Sequence, residues 1–252
     1  MTLNAEVKRV WNDTYKIHSY EVDVKGQVTV PHLCQFMQES AWNHAEHLGV
    51  GYSHLMAKNL VWVLSRQRLR ILSLPKWGDS IKIQTWPSGT DRLFCYRDFR
   101  ILDAADEIVA LATTAWFAID LNSRSPQQPG SYFTLKLENL ERVLPGKLNK
   151  LKSLTAPKRA RVIQVGYRDL DVNEHVNNVR FVEWMLESFA LDFQKTHQLQ
   201  EMEINYLAEA FYGDEISVRC EEEEDLAFLH SSRNESTNTE VCRFRTVWQR
   251  AG

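Results

Sequence analysis

Residues 29–49, TVPHLCQFMQESAWNHAEHLG, read as one helix with both ends marked. Thr29 suits the N-cap, Pro31 falls in the first turn where a missing N–H costs nothing, and Gly49 supplies a left-handed stop. Leu33, Phe36, Met37, Ser40, Ala41, His44 and Leu48 recur at helical spacing and make one mostly apolar stripe. Upstream, HSYEVDVKG (18–26) alternates as a strand would. Downstream, LVWVLSRQRLRIL (60–72), DSIKIQTWPSG (79–89), LFCYRDFRILDA (93–104) and EIVALATTAWFAID (107–120) are rich in β-branched and aromatic residues and predict three or four more strands.

The same order then repeats. ARVIQVGY (160–167) predicts a strand. DLDVNEHVNNVRFVEWMLES (169–188) leads into a helix with Val179, Val182, Met185, Leu186 and Phe189 on one face and Arg180, Glu183 and Glu187 on the other. Strands follow at MEINYLAEAF (202–211), DEISVRCEE (214–222), LAFLHSSRN (226–234) and EVCRFRTVWQ (240–249). Two echoes tie the copies together. Gln38-Glu39-Ser40 answers Leu186-Glu187-Ser188, and KWGDSIKI (76–83) answers FYGDEISV (211–218). A helix followed by a run of antiparallel strands, twice over, predicts an α+β fold: a tandem hotdog, each half a long helix wrapped by a curved sheet. The expected division is 1–140, a linker at 141–158, and 159–252. The acidic run EEEED (221–225) reads as a solvated turn.

Of the 252 residues, 44% are hydrophobic and 25% charged, as in ordinary globular proteins. No apolar run approaches the roughly 18–20 residues of a membrane helix, and the N-terminus has no signal core, so a cytoplasmic protein is expected. A net charge of −3 argues against general nucleic-acid binding. The four cysteines (Cys34, Cys95, Cys220, Cys242) form no CxxC pair, and His44 and His47 lack further ligands at useful spacing, so no metal is expected. No GxSxG elbow or glycine-rich phosphate loop is present, and no cofactor is expected.

The polar cluster before the second helix needs its own account. Asp and Asn are preferred helix caps, and Asn177 and Asn178 suffice for that purpose. Asp171, Asn173 and His175 exceed it, and their alternation places them on one side of an extended segment. Glu209 reads as a carboxylate on a strand face beside Leu207 and Phe211, where it needs a partner. Aligned through the echoes, Asp23, Lys25 and Gln27 stand opposite Asp171, Asn173 and His175, and Leu74 stands opposite Glu209. One copy keeps the constellation and the other has lost it. Capping gives no reason for that asymmetry, whereas a single active site does.

DLDVNEHVNNVRFVEWMLES closely resembles the signature of the acyl-ACP thioesterases, and LVWVLSRQRLRILSLPKWGDSIKIQTWPSG, QESAWNHAEHLG and EINYLAEAFYGDEI extend the resemblance over most of the chain. The resemblance implies hydrolysis of fatty acyl thioesters carried on acyl carrier protein, with Asp171, Asn173, His175 and Glu209 as the catalytic residues. Plant members commonly have a cysteine after that glutamate; here it is Ala210, which implies that the thiol is dispensable. The plant enzymes also begin with a plastid transit segment; none is read at this N-terminus, and a bacterial-type cytoplasmic protein is expected. A hotdog enoyl-thioester hydratase is a weaker alternative, since its histidine follows the aspartate by five residues and here the interval is four. An acyl-CoA thioesterase and a non-catalytic acyl-binding module are the others, and the module would need no polar cluster. Trp42 and Trp62 are candidates to border an acyl tunnel in the first half. The expected partner is acyl-ACP, with no nucleic acid and no membrane, and the chain is either a monomer with internal pseudo-symmetry or a homodimer. Arg142, Lys147, Lys150, Lys152, Lys158, Arg159 and Arg161 form a basic stretch with no acidic residue among them, which is either a plain linker or part of a carrier-docking surface.

Overall fold

The computed structural model describes residues 8–132 and 141–251, and of residues 158–160 the backbone alone. In chain order the elements are β1 (Trp11–Lys16), α1 (Val30–His47), α2 (Tyr52–Met56), β2 (Leu60–Ile71), β3 (Ser80–Thr90), β4 (Cys95–Leu102), β5 (Ile108–Asp120) and β6 (Pro126–Gln127). The second half has β7 (Lys158–Gln164), α3 (Asn178–Leu186), α4 (Leu191–Thr196), β8 (His197–Tyr206), β9 (Glu215–Glu224), β10 (Ala227–Asn234) and β11 (Thr239–Arg250).

Thr29 caps α1, its hydroxyl accepting the His32 amide, and Gly49 sits at φ 69 just past the end. Leu33, Met37, Ser40, Ala41, His44 and Leu48 of the predicted stripe are buried. The first strand, however, is β1 rather than residues 18–26. Tyr15 stacks on Phe36 with ring centroids 4.6 Å apart, seating β1 against α1, while residues 18–28 fold into turns.

Among the described residues ten strands form one continuous path, β1-β3-β4-β5-β2-β8-β11-β10-β9-β7, with β6 attached to β5. The order reads the same from either edge once β1, β2, β3, β4 and β5 are matched to β7, β8, β9, β10 and β11. The fold is therefore a tandem hotdog whose halves join at the antiparallel β2–β8 pair, from Arg66 opposite Asn205 to Arg70 opposite Glu201. Glu201 accepts from Arg68 at 2.7 Å and from Arg70 at 3.2 Å across this seam. On the concave side α1 packs on α3, and Leu33, Met37, Ile83, Phe99, Val182, Met185, Ile204 and Phe244 share one core. Among the described residues no helix is long and apolar enough to cross a membrane.

The duplication is legible in individual hydrogen bonds. The Asp23 amide donates to Gln27 O at 2.8 Å, and the Asp23 carboxylate accepts from the amides of Lys25 and Gln27. In the second half the Asp171 amide donates to His175 O at 2.8 Å, and its carboxylate accepts from the amides of Asn173 and His175. Farther on, the Asp79 carboxylate takes the Lys76 amide as Asp214 takes that of Phe211, both at 2.8 Å. Gly78 and Gly213 sit at φ 88 and 84 in these two turns, a conformation that favours glycine.

Residues 141–157 cross the outer face of the sheet as a strap. Glu141 O accepts from Trp86 of β3, Leu148 O from Arg66 of β2, and Leu151 O from Arg243 of β11. The Asn205 side chain of β8 accepts the Leu151 amide at 2.7 Å, and Glu221 of β9 takes the amides of Thr155 and Ala156. The acidic run is thus mostly strand, not turn. Glu221 and Glu223 face the strap and Arg245, whose bonds hold both carboxyls below the usual range. Lys152 pairs with Glu223 at 3.3 Å, while the side chains of Lys158 and Arg159 lie outside the described residues.

Candidate active site

Residues 171–175 form a tight turn, not the extended segment that their alternation suggests. Glu174 adopts φ 61, and Leu170 pairs with Val176 on either side. The Asp171 carboxylate holds this turn together from inside, leaving Asn173 and His175 on its far limb. Two residues on, Asn177 caps α3, its side-chain oxygen accepting the Val179 amide at 3.0 Å. Asn178 is the first helical residue, so it lies within the helix rather than capping it.

Glu209 is not in a strand. β8 ends at Tyr206, after which the Leu207 and Ala208 amides both donate to Val241 O, at 2.9 and 3.3 Å. With one acceptor serving two donors the ladder stops, and Glu209 lies in the connection to Phe211. Two contacts bring this connection to the turn: Val176 N–H donates to Ala210 O at 2.9 Å, and His175 bridges to Phe211. His175 Nδ1 and Glu209 Oε1 stand 3.7 Å apart, and the Phe211 ring meets the imidazole edge-on at 5.1 Å. Glu209 Oε2 accepts from Arg124 at 2.6 Å. No sequence motif marks Arg124, which stands in the polar turn LNSRSPQQ of the other half.

A cavity of about 450 Å³ opens beside this cluster. The first half supplies most of its wall, including Ala41, Trp42, Ala45, Leu55, Trp62 and Trp116, and Asp171, Val172, Asn173, Asn177 and Asn178 complete it. The N-terminal end of α3, where the helix dipole favours negative charge, therefore abuts the cavity. Asp171 and Asn173 line it. His175 and Glu209 pair with each other outside that lining, two residues along the chain from Asn173. Arg97 brings one buried cation to the wall, donating to His44 Nδ1 at 3.1 Å and Thr85 at 3.2 Å, and burial pushes its pKa down to about 10. His44 is thus buried in the core, with Nε2 spent on the carbonyl of Lys8.

The matching space of the second half is smaller, about 250 Å³, and Asp23, Lys25 and Trp248 border it. Phe189 stacks on Phe193 at 4.9 Å, and both pack against Phe228 and Trp248. Lys25, at the position matching Asn173, donates to the carbonyls of Gln194 and His197. One copy has the larger cavity and keeps Asn173, His175 and Glu209; the other has Lys25, Gln27 and Leu74 in their places.

The thiols are poorly placed for nucleophilic work. Burial pushes Cys34 up to about 12 and Cys95 and Cys220 up to about 11, and raises Cys242 well above its ordinary value. At neutral pH they stay protonated, whereas attack needs the thiolate. What the site offers instead is a carboxylate–imidazole pair next to a side-chain amide and a helix N-terminus. That set suits activation of water beside a polarised carbonyl.

Residues 8–129 match the family model described as acyl-ACP thioesterase N-terminal domain, and residues 152–250 match the C-terminal domain model of the same family. The chloroplastic oleoyl-acyl carrier protein thioesterase of Coriandrum sativum is 26% identical over 283 residues, covering 95% of this chain and 77% of that protein. The chloroplastic palmitoyl-acyl carrier protein thioesterase of Gossypium hirsutum is 30% identical over 214 residues, covering 79% and 52%. Among solved structures, an acyl-ACP thioesterase from Bacteroides thetaiotaomicron superposes with a TM-score of 0.84 at 26% identity, covering 96% of this chain and 98% of the other. The 12:0-ACP thioesterase from Umbellularia californica has a TM-score of 0.81 at 23% identity with 97% and 98% coverage, which speaks to the fold. With both halves matched in order along its length, this chain belongs to the acyl-ACP thioesterase family.

Proposed function

We propose that the protein hydrolyses fatty acyl thioesters of acyl carrier protein, releasing the free fatty acid and the carrier thiol. The observation that carries this reading is the apolar cavity ending at Asp171 and Asn173, beside the His175–Glu209 pair. The first half (1–140) holds the acyl chain, the second (159–252) carries the chemistry, and 141–158 connects them. Glu209 and His175 take a proton from water as its oxygen bonds to the carbonyl carbon. Asn173 and the start of α3 stabilise the oxygen that gains negative charge. The C–S bond then breaks, and the departing sulfur receives the proton. Asp171 orients the cluster by holding the turn, and its engagement with two amides argues against a free nucleophilic carboxylate. The separation of 3.7 Å closes to hydrogen-bond distance when substrate docks, as catalytic pairs commonly do.

The curated relatives above are named for acyl carrier protein substrates, which favours that carrier over coenzyme A. The four free cysteines suit a reducing compartment such as the cytoplasm. The test is release of fatty acid from matched acyl-ACP, acyl-CoA and enoyl-CoA substrates by purified protein. Acyl-ACP should be hydrolysed fastest, and His175→Ala and Glu209→Gln should each lower kcat by at least about 100-fold. Full activity in both variants would refute the assignment.

A further inference from the structure

Only one side chain of the first half bonds to Glu209 among the described residues, and that is Arg124. We propose that Arg124 is a positioning residue for hydrolysis, fixing the Glu209 carboxylate so that its second oxygen faces His175. This rests on the reading of Glu209 and His175 as the water-activating pair.

Three observations support it. Arg124 Nη2 donates to Glu209 Oε2 at 2.6 Å while Oε1 faces His175 Nδ1 at 3.7 Å, so the carboxylate is divided between the two halves. Glu209 has left the sheet, and a carboxylate on a connecting segment turns freely about its terminal bond unless one oxygen is held. The turn presenting Arg124 is itself well braced. Asp120 Oδ1 accepts from the amides of Asn122 and Ser123, and the Arg124 amide donates to Asp120 O at 2.8 Å. Arg124 sits there at φ 54, a left-handed conformation uncommon for a side chain of this size. Such backbone outliers cluster where a side chain must be aimed. Leu74, matching Glu209 in the other copy, has no carboxylate to aim.

The Arg124 side chain is 52% exposed, and exposed ion pairs add little to stability. Its removal should therefore change catalysis without changing the fold. In Arg124→Ala, kcat on acyl-ACP should fall about tenfold with KM and Tm close to wild type, and Arg124→Lys should fall between the two. In the Glu209→Gln background, Arg124→Ala should have no further effect, because the group it positions is gone. Guanidinium ion at low millimolar concentration should restore part of kcat to Arg124→Ala and none to Glu209→Gln.

Several outcomes overturn the inference. They are an unchanged kcat in Arg124→Ala, a loss confined to KM, or an equal loss with and without Glu209. A fully active Glu209→Gln would overturn the underlying reading instead, and the two failures are thereby separable.

Discussion

Asp23 and Asp171 occupy the same place in two copies of one turn, each satisfying two backbone amides, yet only one adjoins the cavity. Removing either carboxylate leaves those amides unpaired, and an unmade bond of this kind costs about 1 kcal/mol. Asp23→Ala and Asp171→Ala should therefore each lower Tm by about 2–4 °C, and only Asp171→Ala should also reduce kcat. Equal kinetic effects would mean that Asp171 acts on turnover solely through global stability. The spacing of Asp171, Asn173 and His175 was legible in the sequence, but their sidedness was not. The turn depends on a left-handed residue, and the first copy uses Gly26 (φ 70) where the second uses Glu174 (φ 61). A glycine advertises that conformation; a glutamate does not.

Helix α1 shows what a sequence does reveal about an element, since its cap, proline and stop act locally. Residues 18–26 alternate like a strand but fold as turns because Asp23 supplies bonds that a sheet partner would otherwise make. Glu209 departs from the expected strand for a related reason: alternation continues past Tyr206 although the ladder does not. Of the cavity, only Trp42 and Trp62 on its wall were legible in the sequence, not its extent. It is the larger of the two because α1 presents Ala41 and Ala45 where the second half places the rings of Phe189 and Phe193. Enlarging Ala45 should shorten the space open to substrate. Ala45→Leu is expected to move the kcat/KM optimum, measured across a series of saturated acyl-ACP substrates, to shorter chains. Each excluded methylene should be worth about tenfold or more. An unmoved optimum would place the acyl chain elsewhere.

The whole molecule is one sheet, so both halves share their stability and its pH dependence. Burial, aided by the charge of Arg97, holds His44 down to about 4, and burial holds His230 down to about 3. Unfolded histidine titrates near 6.5. As pH falls below that value the unfolded chain binds protons that the folded chain refuses, so stability declines until about pH 3–4. Asp98, raised by burial, works in the opposite direction, and the lowered carboxyls of Glu223 and Glu240 add their loss only in stronger acid. Urea unfolding should give less stability at pH 5 than at pH 7, by about 2 kcal/mol for each histidine. His230→Gln should shrink that difference by about one histidine's share, and an unchanged difference would refute the account. That both halves belong to one polypeptide has a further consequence. In a homodimer of single units every substitution recurs at both sites. Here the wall around Ala45 and the turn around His175 are encoded once each, at separate places in the gene. A heritable change in which fatty acid is released therefore need not disturb how it is released, and selection can act on diet and chemistry as independent traits.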